Sequence, residues 1–257
     1  MTESAHQAVT RVIETMHENL GEPLTIDDMA RAAMYSKFHF SRVFQRTTGI
    51  SPGRFLSAIR LQEAKRLLVS TSLSVTEISH RVGYSSVGTF SSRFGRSVGV
   101  SPTQYRQDRG FISQIQVDSA HDVNGNRHAS VHGEVLTSHP VELGLIFLGL
   151  FPDPIPQGKP VRCTVLRGVG SFALERVPPG TWHLLAHSVP AAQGEVLSGG
   201  GSLLVGSSGP VEIRADRDPY RLNVGLRPIE VLDPPVLLAL LDVRSYVLGN
   251  EALADVG

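Results

Sequence analysis

The chain is poor in three things: it has one cysteine, Cys163, it has no long apolar run, and its formal net charge is zero over 257 residues. A single thiol excludes an internal disulfide and any multi-thiolate metal site, which fits a reducing compartment. No stretch reaches the ~18 apolar residues of a membrane span. The opening MTESAHQAVTRVIETM has acidic residues where a signal peptide would have an apolar core, so a cytoplasmic protein with no membrane partner is expected. The length suits two ordinary domains, each with its own core.

Zero net charge excludes little, because the charge is partitioned. Residues 1–30 hold one basic against six acidic residues, a net −5. Residues 31–110 hold thirteen Lys and Arg against Glu63, Glu77 and Asp108, a net +10, and residues 111–257 hold ten basic against fifteen acidic, a net −5. A concentrated basic segment is the electrostatic footprint of a surface facing phosphate.

That basic segment is also a repeat. Ser36 to Phe55, SKFHFSRVFQRTTGISPGRF, returns fifty residues later as Ser86 to Tyr105, SVGTFSSRFGRSVGVSPTQY. Phe40 falls on Phe90, Phe44 on Phe94, Arg46 on Arg96, Gly49 on Gly99 and Pro52 on Pro102. Upstream, Asp28-Met29 and Tyr35 match Glu77-Ile78 and Tyr84 at an offset of forty-nine, so the copies differ by one residue in a turn. Internal self-similarity of this kind means one structural unit used twice.

Each unit reads as two helices joined by a tight turn, a helix-turn-helix. Ala5 to Asn19 spaces Ala8, Val9, Val12, Ile13 and Met16 for one buried helical face. Thr25 and Ser36 are placed to cap the second and third helices. The third, to about Thr47, turns Phe40, Val43, Phe44 and Thr47 inward and Phe38, Ser41, Arg42, Gln45 and Arg46 outward. An exposed strip of an aromatic, a hydroxyl, guanidiniums and an amide suits the major groove, where Arg can pair with guanine, Gln with adenine and an apolar side chain with a thymine methyl. Gly49 ends that helix and Ser51-Pro52 starts a long fourth, to roughly Val69, with Arg60, Lys65 and Arg66 expected outside. Such a helix holds the two units at a fixed spacing, and units reading successive grooves must sit ~34 Å apart or bend the DNA.

The run Arg60-Leu61-Gln62-Glu63-Ala64-Lys65-Arg66-Leu67-Leu68, with Val82-Gly83-Tyr84, Phe90-Ser91-Ser92-Arg93-Phe94 and Gly99-Val100-Ser101-Pro102-Thr103-Gln104-Tyr105-Arg106, resembles AraC/XylS-type transcriptional regulators over residues 5–107. The resemblance implies a seven-helix domain with two helix-turn-helix motifs, double-stranded DNA as partner, and RNA polymerase as the enzyme it recruits or blocks in a bacterial cell. It implies base-reading positions at Phe38, Ser41 and Arg42 in the first unit, joined by Gln45 on the same face, and at Val87, Gly88, Thr89, Ser91 and Ser92 in the second. Lys37, Arg46, Arg93 and Arg96 are the phosphate candidates. At the fifty-residue offset Phe38 becomes Gly88, Arg42 becomes Ser92 and Gln45 becomes Gly95, and each glycine lowers helix propensity by about 1 kcal/mol relative to Ala. The first unit is therefore expected to read bases and the second mainly to position the backbone.

Domain boundaries are read as a DNA-binding domain at 1–110, a linker at 111–130 and an all-β antiparallel sandwich at 131–257. FISQIQV alternates like a strand, HDVNGNRHAS carries an Asn-Gly turn signal, and eight short Val-, Leu- and Phe-rich runs follow, with Leu203–Ser207 and Val211–Arg214 as separate strands. Residues 233–248 fit a helix or a strand equally. His132 to Val135, Leu145 to Phe151 and Phe172 to Leu184 resemble transthyretin-like modules found beside carboxypeptidases. This half is read as sensing a small-molecule effector or mediating assembly, including a homodimer. No catalytic residue, metal site or cofactor is expected: His183 and His187, four apart, have no acidic neighbour, and after Pro-Pro-Gly they fall on a strand. The enzyme alternative is alkyl transfer to Cys163, whose thiol Arg162 and Arg167 would activate, although VRCTVLRG reads as a strand.

Overall fold

In the computed structural model the described residues are 4–112, 128–138, 143–189, 203–214, 216 and 219–241. Seven helices among them lie before residue 108: α1 (Ala5–Glu18), α2 (Ile26–Ala32), α3 (Lys37–Thr48), α4 (Pro52–Ser70), α5 (Val75–Arg81), α6 (Val87–Val98) and α7 (Pro102–Gln107). The repeat is visible in the capping. Thr25 and Asp28 exchange side-chain and backbone bonds at the start of α2, and Ser74 and Glu77 do the same for α5. Gly49 and Gly99 end α3 and α6 in the left-handed conformation, a common helix stop. Ser36 and Ser51 stand at N-cap positions without making the side-chain bond, whereas Ser86 and Ser101 make it.

Each unit has its own core. Val9, Val12, Ile13, Phe40, Phe44 and Phe55 centre the first, and Leu61, Ile78, Phe90, Phe94, Val98 and Tyr105 the second, with α4 contributing to both. Thr48, rather than Thr47, is the buried threonine of α3, and its hydroxyl reaches the Phe44 and Ile50 carbonyls. The turn between α5 and α6 requires glycine. Gly83 has φ +80°, and a Cβ there would run into the Leu20 carbonyl and the Arg60 guanidinium.

The second half forms one curled sheet rather than two packed layers. Its strands are β2 (Ala129–Thr137), β3 (Leu145–Phe151), β4 (Arg162–Leu166), β5 (Gly170–Val177), β6 (Gly180–Val189), β7 (Leu204–Ile213), β8 (Tyr220–Arg221) and β9 (Val224–Pro228). They run in the order β4-β3-β6-β7-β9-β2-β5, with β8 also on β2. β4 and β5, at the two ends of that order, lie side by side, so the sheet is nearly a closed barrel, a solution that leaves little edge exposed. It is not wholly antiparallel either, since β2 pairs with β8 and β9 in parallel. The runs Leu203–Ser207 and Val211–Arg214 are a single strand, β7, because a register shift opposite Trp182 and Leu184 accommodates Gly209-Pro210. Residues 234–239 are neither helix nor strand, and Leu240–Leu241 (β10) pairs in parallel with Phe111–Ile112 (β1). The rest of FISQIQV, most of HDVNGNRHAS and residues 242–248 lie outside the described residues.

The two halves are welded. Ile155, in the loop after β3, is 1% exposed and completes the core of the first unit, while Leu237 and Ala239, both 0% exposed, complete the second. Leu238 points the other way and packs with Phe147, Phe151 and Leu185 on the outer face of the sheet. Backbone bonds close the seam: Gly158 N donates to Ser97 O at 2.6 Å and Ala239 N to Val98 O at 3.0 Å. This is why every residue of β3 is buried: Ile146, Leu148 and Leu150 face the barrel interior while Phe147 and Phe151 face the seam. Lys65, expected outside, turns its ammonium into this seam, where Nζ donates to Val236 O at 3.0 Å and lies 5.9 Å from the Tyr105 ring centroid. Burial pushes it down to about 8.

Candidate nucleic-acid interface

The outward face of α3 presents the residues the sequence assigns to it. Phe38 is 84% exposed, an unusual position for a large aromatic, and Lys37, Arg42, Gln45 and Arg46 are exposed beside it. Ser41 is half-buried and its hydroxyl donates to the Lys37 carbonyl at 2.9 Å, which leaves its oxygen lone pairs as acceptors. Lys37 Nζ lies 3.3 Å from Asp27 Oδ2, so its charge is partly answered within the protein. Met34, in the turn before α3, is 72% exposed with φ 56°, at the position where the second unit has Gly83.

On α6 the corresponding strip is shallower. Val87, Gly88, Thr89, Ser92, Arg93 and Arg96 are exposed and Ser91 is half-buried. Arg93 Nη1 donates to Ser57 Oγ at 3.3 Å, which ties it to α4. The basic segment is less free than its charge suggests. Arg60 commits its guanidinium to the Glu22 and Gly83 carbonyls, and Arg106 to the Leu68 and Leu73 carbonyls. Arg31 pairs with Asp28 and Arg66 with Glu63. Arg42, Arg46, Arg93 and Arg96 are left as exposed cations on or beside the two outward helices.

A family model described as a helix-turn-helix domain matches residues 29–108. The HTH-type transcriptional activator AarP of Providencia stuartii is 31% identical over 111 residues, 43% of this chain and 82% of AarP. The chain belongs to the AraC-type helix-turn-helix transcriptional regulators. The HTH-type transcriptional regulator ArgR of Pseudomonas aeruginosa is 32% identical over 106 residues, but that match spans 41% of this chain and 32% of ArgR. Among solved structures, an AraC-type regulator of Chromobacterium violaceum is 31% identical, covering 40% of this chain and 93% of that one with a TM-score of 0.39. The AraC-type family model stops at residue 108, so the transthyretin-like resemblance of the β-half has no counterpart in it.

Burial pushes the Cys163 thiol up to about 11 against the opposing pull of Arg162, so very little thiolate exists near neutral pH. His183 and His187 sit on β6. His187 is buried against the Phe147 ring, both its ring nitrogens lack hydrogen-bond partners among the described residues, and burial, with the nearby Lys65, lowers its pKa to about 3. No group of three or more metal-ligating side chains occurs among the described residues. No described helix is long and apolar enough to cross a membrane. The seam-facing Lys65 and the buried His187 were not legible in the sequence as a pair. The signal available was the unbroken apolar run LIFLGLF, which implies a strand covered on both faces without naming the cover.

Proposed function

We propose that α3 enters the major groove and carries most direct base readout through Phe38, Ser41, Arg42 and Gln45, while α6 positions the backbone and adds weaker readout through Val87, Gly88, Thr89, Ser91 and Ser92. Lys37, Arg46, Arg93 and Arg96 take phosphates. The observation that carries this reading is the exposed Phe38 standing one helical turn ahead of Arg42, opposite a core of Phe40 and Phe44. An apolar ring held in water at the start of such a helix is explained by a thymine methyl. The DNA-binding domain is residues 1–110 and the regulatory domain 131–257, with RNA polymerase as the downstream partner.

The β-half acts as sensor or assembly module. Sensing is favoured by a cavity of about 290 Å³ at the seam, lined by Thr48 and Gly49 at the end of α3 and by Leu185, Ser207, Arg227 and Val236 from the β-half. A ligand there would touch the reading helix directly.

The test is selection from a randomised duplex pool by the full chain, with Arg42→Ala and Arg93→Ala beside it. A motif with one sharp and one blurred half is expected, blurred further by Arg42→Ala, whereas Arg93→Ala weakens binding across all sequences. If Arg42→Ala keeps the motif and Arg93→Ala abolishes it, the assignment is reversed.

A further inference from the structure

A second cavity opens where α4, α6 and the loop after β3 meet. It measures about 240 Å³ and is lined by Arg54 and Ser57 of α4, Arg93 and Arg96 of α6, and Gln157 and Leu237 from the β-half. Its described lining holds three guanidiniums and no carboxylate. Asp153, beside it, holds Arg54 through two contacts, Nη1 to Oδ1 at 3.1 Å and Nη2 to Oδ2 at 3.0 Å. Among the described residues Arg93 reaches only the Ser57 hydroxyl, at 3.3 Å. Among the described residues, three like charges around one small space are answered by one carboxylate, which leaves a local excess of two positive charges. Such charges repel unless a counter-charge sits among them. The wall is built to close tolerance: the Gly158 N–H bonds to Ser97 O, and a Cβ on Gly158 would lie 3.0 Å from the Arg96 carbonyl.

We propose that this cleft is a seat for a phosphate-type oxyanion, gripped by Arg93, Arg96 and Arg54 with Ser57 and Gln157 completing the hydrogen bonds. Planar guanidinium forks match tetrahedral oxyanions, and a dianion supplies the missing charge. Asp153 is an internal competitor that occupies Arg54 while the seat is unfilled. Because Gln157 comes from the β-half and the arginines from the helical half, filling the seat ties the two together. The phosphate comes either from a free phosphate ester or from a DNA backbone. The seat shares Arg93 and Arg96 with the phosphate contacts proposed above and goes beyond them in adding Arg54, Ser57 and Gln157 at the seam; it does not rest on the base-reading assignment.

The experiment uses the full chain titrated with inorganic phosphate, against sodium chloride at equal ionic strength, followed by calorimetry and by thermal melting. Saturable binding with a raised melting temperature is expected. Arg96→Ala and Gln157→Ala should each weaken it five-fold or more, Asp153→Asn should tighten it by freeing Arg54, and Arg221→Ala, on β8, should leave it unchanged. Tightening on loss of a carboxylate is an outcome that a purely structural Asp153 would not produce. A labelled duplex then separates the sources: displacement by phosphate identifies the DNA backbone as ligand, and undiminished phosphate binding to DNA-loaded protein identifies a free phosphate. No saturable binding, or binding untouched by both Arg96→Ala and Gln157→Ala, overturns the seat. The phosphate titration contains no DNA, so a chain that selects no DNA motif yet binds phosphate here refutes the base reading and leaves the seat standing.

Discussion

Replacing Ile155 by alanine removes a side chain that belongs to the β-half in sequence and to the first helical unit in packing. At 1% exposure it has no solvent to relax into, and Ile→Ala at such sites costs ~2–5 kcal/mol. With a urea m-value of about 3 kcal/mol per molar, a loss of ~3 kcal/mol moves the midpoint down by roughly 1 M. The chain supplies two independent probes. Trp182, its only tryptophan, is buried in β6 with Nε1 bonded to Pro178 O and reports the sheet, while far-UV circular dichroism at the helical minimum reports α1 to α7. A welded seam predicts coincident transitions in the parent chain and a common downward shift in Ile155→Ala. If the probes separate in the parent, or the helical midpoint stays put while the tryptophan midpoint falls, the two halves unfold independently and the seam reasoning is refuted.

Gly83→Ala should cost at least ~2 kcal/mol in urea denaturation, since it combines a left-handed backbone with a collision against the Leu20 carbonyl; a loss under half of that would show that the turn relaxes freely. His187 is lowered to about 3, below its unfolded value near 6.5, so the unfolded chain binds its proton first as pH falls. Stability should therefore drop between pH 6.5 and 3 by up to ~1.4 kcal/mol per pH unit from this residue, and His187→Leu should flatten that slope; equal slopes would refute the assignment. Cys163, raised to about 11, should have roughly one thiolate in a thousand at pH 8, so iodoacetamide should label the folded chain far more slowly than the urea-unfolded chain, and equal rates would contradict the raised thiol.

The helical half was legible because its rules are local. Repeat spacing, capping boxes and left-handed glycines depend on a few neighbouring residues, and the predicted bounds of α1, α3 and α4 stand within one or two residues of those observed. What covers an apolar or amphipathic face is a non-local fact. Lys65 reads as a solvent-facing member of α4 because periodicity assigns it to the polar side, and only the chain around Val236, 171 residues away, turns that side into an interior. The two runs within β7 read as separate strands because proline marks breaks, and a bulge can absorb one. The β-rich half was legible but its sandwich form is not confirmed, for a related reason: alternation specifies two faces of a strand, and a curled sheet supplies an inside and an outside as readily as two layers do.

The seam also bears on inheritance. A helix-turn-helix half is ordinarily portable, moving between chains because its surface away from DNA is indifferent to its neighbour. Here a gene fusion that carried off the first 110 residues would take with it two sockets shaped for Ile155 and Leu237 and a lysine whose ammonium has lost its carbonyl. Neither half can be exchanged without rewriting the other, so the residues lining the join should drift together, each change on one side tolerated only with its counterpart on the other.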